Sequence, residues 1–161
     1  MGNPIEGPRL ITAISPISLF SSRTGLYVSL KNTNKAYCVI QISKLNTQAA
    51  PTIYPFQATA VAGTGAKVFS TANPLDCWLS NAVSSDDTLT KQTAGANFAT
   101  AASSGTQQCI IAIEPGSMDL ANGFDCLGIQ ISATTSSDIV SAQYWLDMRY
   151  AESDTPTVLA D

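Results

Sequence analysis

The sequence predicts an all-β fold, a β-sandwich of jelly-roll-like type with extended arms at its N- and C-terminal ends. Three observations support this prediction. Several segments alternate apolar and polar residues with a period of two, as strands with one buried face do. Turn-forming residues separate these segments, and no segment shows the period of a long amphipathic helix. The chain has 161 residues, of which 45% are apolar, so it can fill one core.

The first half of the chain contains three candidate strands. Apolar residues alternate in GLYVSLK (25–31) and in AYCVIQIS (36–43). The residues between these segments, KNTNK (31–35), favour a turn, so we expect the two strands to pair as a hairpin. TIYPFQATAVA (52–62) is also strand-like, but Pro55 favours an edge strand or a bulge at that point.

The second half begins with a segment of ambiguous type. NPLDCWLSNAV (73–83) fits either a buried strand or one helical turn. Residues 84–107 contain few large side chains, which predicts an exposed loop excursion with a weak strand near Phe98. Regular alternation then returns in three segments, namely 108–114, 126–131 and 138–150.

The boundaries of the domain follow from these assignments. We expect an N-terminal arm over residues 1–12, a single β-sandwich domain over residues 13–150 and an acidic C-terminal arm over residues 151–161. Such arms either fray or lie across a neighbouring molecule. The arms contain apolar side chains that could anchor them on a neighbouring subunit: Ile5, Leu10, Val158 and Leu159.

The last predicted strand has a second face that consists of Gln143, Trp145, Asp147 and Arg149. Trp and Arg are enriched at the centres of protein interfaces, so this face is a candidate contact surface. The alternative is that the strand is covered on both sides within the sandwich. The sequence leaves both interpretations open.

Charged residues are scarce and unevenly placed. They make up 12% of the chain, whereas about 25% is usual in soluble domains. Six of the eight basic residues lie within residues 1–75, and eleven of the twelve acidic residues lie within residues 76–161. Such halves could dock head to tail in a homo-oligomer. Alternatively, strands from the two halves interleave and the charges cancel within one chain.

Several functional classes are disfavoured by composition. The chain has no histidine, which removes Ser/His/Asp and Cys/His triads and imidazole metal sites. Its four cysteines form no CxxC pair, and no export signal is visible, so we expect free thiols. Without histidine or a nucleophile motif, we also expect no metal, no cofactor and no catalytic residue. The net charge of −4 argues against direct nucleic-acid binding. The apolar runs are too short to span a bilayer, and no export signal is visible, so synthesis in a cytoplasm is expected.

Four segments resemble a known family. They are QATAVAGTGAKV (57–68), SDDTL (85–89), DLANGFDCLGIQ (119–130) and RYA (149–151). In order and spacing they are similar to segments of small virion proteins of tailed bacteriophages, encoded near the head genes. The resemblance covers roughly residues 50–151. The acidic tail after residue 151 departs from it, because it extends past the point where such sequences end.

The resemblance implies a structural virion component without enzymatic activity. Our leading hypothesis is a capsid decoration or cement protein that binds the phage head shell as a homo-oligomer and stabilises it. Its partners would be copies of itself, with a trimer among the candidate states, and the major capsid protein. The alternative is a head-fibre or tail-tip module that binds a receptor or carbohydrate, and an enzyme is the third and weakest reading.

Overall fold

A computed structural model describes residues 8–81, 88–149 and 158–159. These residues form β-strands and two short 3₁₀ turns, η1 (Pro115–Ser117) and η2 (Leu120–Asn122). The strands are β1 (Arg9–Ser18), β2 (Arg23–Thr24), β3 (Val28–Ser29), β4 (Thr33–Lys44), β5 (Thr52–Ala58), β6 (Lys67–Val68), β7 (Asp76–Ser80), β8 (Thr90–Lys91), β9 (Phe98–Ala99), β10 (Gly105–Ile113), β11 (Cys126–Ile131) and β12 (Ile139–Met148). None of the helical turns among these residues is long and apolar enough to cross a membrane.

The strands form two antiparallel sheets. Sheet A has the order β1-β12-β4-β10-β7-β8. Sheet B has the order β2-β11-β5-β6, and in it β3 also pairs with β11 and β9 with β5. Side chains from both sheets form one hydrophobic cluster, as expected for a sandwich. The all-β prediction is therefore confirmed, whereas the jelly-roll connection pattern stays a prediction.

Strand periodicity explains which side chains form the core. In β12 the side chains of Val140, Ala142, Tyr144 and Leu146 are buried, and the residues between them are exposed or partly exposed. Tyr144 has the largest of these side chains. Its hydroxyl donates a hydrogen bond of 2.9 Å to the carbonyl oxygen of Leu26, so burial leaves no unpaired phenol group.

The predicted hairpin between residues 25–31 and 36–43 is wrong. β3 pairs with β11 in sheet B, whereas β4 pairs with β10 and β12 in sheet A. Between them the chain crosses the core, with a turn in which the Thr33 N–H donates to the Leu30 carbonyl (3.1 Å). A period of two predicts which face of a strand is buried, but not which strand lies beside it.

Pro55 lies where a missing N–H does little harm. Two short strands, β9 and β6, pair with the same edge of β5. β9 lies opposite Thr52 and Ile53, and β6 lies opposite Phe56 and Gln57, so neither strand pairs with Pro55. At Pro55, this side of β5 therefore has no partner strand among the described residues, as at the edge of a sheet, which agrees with the edge position predicted from the proline.

The ambiguous segment 73–83 contains β7, so the strand interpretation of this segment is confirmed.

The segment around residue 100 packs more closely than the sequence indicates. The described part of the predicted excursion, residues 88–107, is largely exposed, yet it contains β8, which extends sheet A, and β9, which joins sheet B. β9 is the weak strand predicted near Phe98. The buried residues of this part are Ala96, Phe98, Thr100 and Gln107.

The ends of the chain differ from the predicted arms where the structure describes them. β1 starts at Arg9 and pairs with β12, so residues 9–12 belong to sheet A and not to an arm. Ile5 lies outside the described residues. Val158 is buried in the core of its own chain, and its carbonyl accepts a hydrogen bond of 2.8 Å from the Ser29 N–H. Leu159 is 49% exposed.

A buried ion pair joins the end of β4 to the start of β12. The side chains of Lys44 and Asp138 are both fully buried, with Nζ and Oδ2 3.8 Å apart. Lys44 Nζ also donates to the Ala49 carbonyl, and Asp138 Oδ1 accepts from the Leu45 N–H (3.1 Å). Each charge therefore depends on the other for compensation inside the protein.

We expect Lys44→Met to lower the free energy of unfolding by about 3–5 kcal/mol, because it leaves the Asp138 carboxylate buried and uncompensated. The double variant Lys44→Met/Asp138→Asn removes both charges but keeps the oxygen that accepts from Leu45. It should recover at least half of the loss. Urea unfolding followed by circular dichroism measures both values. A single variant as stable as the parent chain would contradict this role for the pair.

Candidate protein interface on the outer face of sheet A

The face of β12 that points away from the core includes Gln143, Trp145 and Asp147, all exposed. Trp145 is 50% exposed, so sheet B does not cover this side of the strand. Arg149 follows the end of β12, where its Nε donates to the Thr33 carbonyl (3.2 Å). The structure therefore places Arg149 at the border of this face, beside the start of β4, and Trp145 near its middle.

Neighbouring strands add apolar side chains around Trp145. Leu10 of β1 and Tyr37 of β4 are its direct cross-strand partners, and Leu10 is 63% exposed. One row further along, Gln143 lies opposite Val39, and Val39 lies opposite Ile110 of β10. Together they form a shallow depression of about 970 Å³, here called the outer groove. Its lining consists of Pro8, Leu10, Lys35, Tyr37, Val39, Gln108, Ile110, Gln143, Trp145 and Asp147.

Sequence reasoning found Leu10, Gln143, Trp145 and Asp147 but missed Tyr37, Val39 and Ile110. A signal for the missed residues exists in the sequence. AYCVI (36–40) and CIIAI (109–113) are continuous apolar runs, typical of strands whose two faces are both covered. The inner residues of these runs are buried against sheet B. Of the outer residues, Ala112 is buried, whereas Tyr37, Val39 and Ile110 stay partly exposed and form the floor of the outer groove.

Lys35, the basic residue at the border of the groove, forms an ion pair within the chain. Lys35 Nζ lies 3.2 Å from Glu114 Oε1 and 5.8 Å from the centre of the Tyr37 ring. Asp147 is the cross-strand partner of Lys35 on β12. The floor itself holds amides and apolar groups, which a partner can cover at a lower desolvation cost than unpaired charges.

The uneven distribution of charge along the sequence is balanced within the folded chain. Four lysines of the basic half each form an ion pair with an acid of the second half. The pairs are Lys31–Asp125, Lys35–Glu114, Lys44–Asp138 and Lys67–Asp119. The charges of the two halves thus interleave, and charge separation gives no support to head-to-tail docking.

Two of the segments that resemble phage virion proteins meet in space. The Gln57 side-chain oxygen accepts a hydrogen bond of 2.8 Å from the Asp119 N–H. Lys67 Nζ lies 2.5 Å from Asp119 Oδ2 and 3.8 Å from the centre of the Phe124 ring. These contacts hold the turn between β5 and β6 against η2. The role of these side chains in this structure is therefore to fix the loops at one end of sheet B.

Glycines in the same segments make room for one aromatic ring. A Cβ atom at Gly128 would lie 2.3 Å from the Tyr27 ring, and one at Gly63, where φ is +79°, would lie 2.9 Å from it. The backbone of both segments thus packs directly on Tyr27. Burial raises the pKa of the Tyr27 phenol.

The described residues contain no cluster of three or more Cys, Asp or Glu side chains suited to hold a metal ion. Cys38 and Cys109 are buried, and Cys126 donates to the Asp125 carboxylate (3.3 Å). Burial raises the pKa of Cys38. A buried thiol with a raised pKa is a poor nucleophile.

We expect Lys67→Met to raise the pKa of Asp119 towards its ordinary value. Hydrogen bonds from Lys67 and then Asn122 hold this pKa below the ordinary value. A lowered folded-state pKa stabilises the fold above the unfolded-state pKa, and this stabilisation is lost as the pH falls. The variant should therefore lose stability at neutral pH and little below pH 3 or so. NMR titration of the carboxyl group measures the shift.

Lys31→Met is the matched control, because Lys31 pairs with Asp125 (3.5 Å) and not with Asp119. An Asp119 pKa that stays low in Lys67→Met would show that Lys67 is not its main determinant.

Comparisons with known proteins give distant structural likenesses and no similar sequence. No protein-family model matches the chain, and no curated protein is similar to it in sequence. Among solved structures, the chain is similar to the crystal structure of the SPBc2 prophage-derived protein YomS, with 8% identity over 87% of this chain and 93% of that chain and a TM-score of 0.48. A structure of Desmodium yellow mottle tymovirus has 10% identity over 96% of this chain and 94% of that chain, with a TM-score of 0.15. Likenesses of this degree assign neither a family nor a function to the chain.

Proposed function

We propose that this chain is a non-enzymatic structural protein of a phage virion, a capsid decoration or cement protein that binds the head shell as a homo-oligomer. The observation that supports it is the apolar outer groove of sheet A, with Trp145 at its centre. The resemblance of residues 50–151 to phage virion proteins supports the same class. Its partners would be copies of itself, a trimer included, and the major capsid protein, without direct contact to nucleic acid or membrane.

The groove fits a protein partner because aliphatic and aromatic side chains dominate it. Leu10, Val39 and Ile110 offer no hydrogen bonds, so they gain free energy only when another apolar surface covers them. A half-exposed Trp in such a setting is the residue type that most often dominates a protein interface, with truncation costs of about 2 kcal/mol or more.

The mechanism in this proposal is associative. Sheet A is a rigid platform, since β4 is paired along both edges, so the groove loses little conformational entropy when a partner binds. A subunit that spans the boundary between two shell proteins adds interface area there. That area opposes the separation of the shell proteins under the internal pressure of packaged DNA.

A specific observation favours one second candidate, a receptor- or carbohydrate-binding module of a head fibre or tail tip. The sequence shows no gathering of aromatic residues, but the fold places Tyr37 beside Trp145. Gln108, Gln143 and Asp147 lie in the same groove and could hydrogen-bond sugar hydroxyls. The aliphatic residues of the floor fit this role less well, because sugar rings stack on aromatic faces and bond to polar groups.

We expect light scattering to show that the parent chain is an oligomer. The double variant Leu10→Ser/Trp145→Ser should raise the dissociation constant of this oligomer at least about tenfold, because it removes two exposed apolar side chains from the contact. Leu45→Ser is the matched control: Leu45 is 72% exposed but lies outside the groove. Circular dichroism verifies that each variant is folded.

Two results would decide against the proposal. A parent chain that is monomeric and does not bind capsids would contradict it. Binding of a glycan that is lost in Trp145→Ser, with the oligomeric state unchanged, would favour the second candidate.

A further inference from the structure

Two cysteines are in contact on the inner face of sheet A. Cys77 of β7 and Cys109 of β10 are both buried, and their Sγ atoms lie 3.2 Å apart. The two strands are antiparallel neighbours, in which Cys77 lies opposite Ile111 and Cys109 lies opposite Leu79. The two thiols are therefore diagonal neighbours that point to the same side of the sheet.

We propose that Cys77 and Cys109 form a disulfide site: a pair of thiols when the chain folds in a reducing cytoplasm, and a cross-strand disulfide after the folded protein meets an oxidising medium. A disulfide bond is about 2.05 Å long, so the two sulfur atoms need to approach by roughly 1 Å. This inference concerns the covalent state of the core and does not depend on the proposed function.

The reaction balances with a small-molecule disulfide, such as oxidised glutathione, as the oxidant. The thiolate of one cysteine attacks a glutathione sulfur, forms a mixed disulfide and releases one glutathione thiolate. The second cysteine loses its proton, attacks the protein sulfur of the mixed disulfide and releases the second glutathione thiolate. Two electrons pass from the two cysteines to the oxidant, and the two protons end on the released glutathiones.

The position of β7 in the sheet gives the oxidant a path to this pair. β7 lies beside β8, the short edge strand of sheet A, which pairs with Trp78 and Leu79. Beyond β8, only the backbone bonds of Gln92 to Cys77 and of Gly95 to Leu75 join this edge to β7 in the part of the chain that the structure describes. Local opening of β7 exposes both thiols while the centre of the sheet stays paired. The hydrogen bond with Cys77, followed by burial, raises the pKa of Cys109, so the closed state reacts slowly.

The other two cysteines lie elsewhere in the fold, Cys38 as a second diagonal neighbour of Cys109 on the opposite side of β10 and Cys126 in β11. Cys38 lies in β4, which is paired with β10 on one side and β12 on the other, so its exposure requires opening of the sheet centre. Cys126 lies in sheet B, and its Sγ donates to the Asp125 carboxylate. Oxidation should therefore select Cys77 and Cys109.

The bond would tie β7 directly to β10, across a sequence separation of 32 residues. That loop includes β8 and β9, which pair with the rest of the fold through two residues each. Restriction of this loop in the unfolded chain favours the folded state. The form of the protein that has met an oxidising medium would thus be more stable than the form that folded in a reducing cytoplasm.

The test uses the full-length chain, incubated as folded protein with oxidised glutathione or with a reductant. We expect the oxidised sample to lose about 2 Da, to contain two alkylatable cysteines after unfolding, and to yield one linked peptide pair that contains Cys77 and Cys109. Its melting temperature should rise by roughly 5–10 °C relative to the reduced sample. Cys109→Ala should abolish the mass change, whereas the matched control Cys38→Ala should retain it.

Three results would overturn the inference: four alkylatable cysteines after oxidation, stable glutathione adducts without a linked peptide, or a disulfide between other cysteines. Peptide mapping of the parent chain decides among them even where a variant does not fold.

Discussion

The structure depends on the pairing of β4 along both of its edges. Its twelve residues lie between β10 and β12, and these three strands form the centre of sheet A. Along β4 the inner side chains pack against sheet B, and the Lys44–Asp138 pair joins its end to the start of β12. A one-residue shift in the register of this strand would turn its buried side chains to the outside. The outer face of sheet A is therefore a rigid surface.

The chemistry of that surface explains why we infer a protein partner. The strands of sheet A are apolar on both faces near Tyr37 and Ile110, yet sheet B covers only one of them. Lysines that could make the surface hydrophilic are paired with acids of the same chain, as Lys35 is with Glu114. An exposed apolar groove with a polar border is typical of interaction sites. The proposed assembly in a virion follows from this surface together with the resemblance to phage virion proteins.

The period of two in the sequence predicts correctly which face of a strand is buried. It does not predict which strands lie side by side in a sheet. The alternation in residues 138–150 predicts both faces of β12, Trp145 included. The hairpin prediction failed because alternation contains no information on which strand is the partner. The groove was found only in part, because Tyr37 and Ile110 become neighbours of Gln143 and Trp145 through pairings distant in sequence. The burial of Val158 is not predictable from the sequence, because a single apolar residue after a polar segment produces no periodic pattern.

A reconstruction of intact virions that contain this chain is the most direct test of the central claim. The account predicts that the chain is present in repeated copies on the particle, with Trp145, Tyr37 and Leu10 covered by a neighbouring protein. A particle that lacks the chain would contradict the account. So would a particle in which the chain is present but the outer groove of sheet A faces solvent.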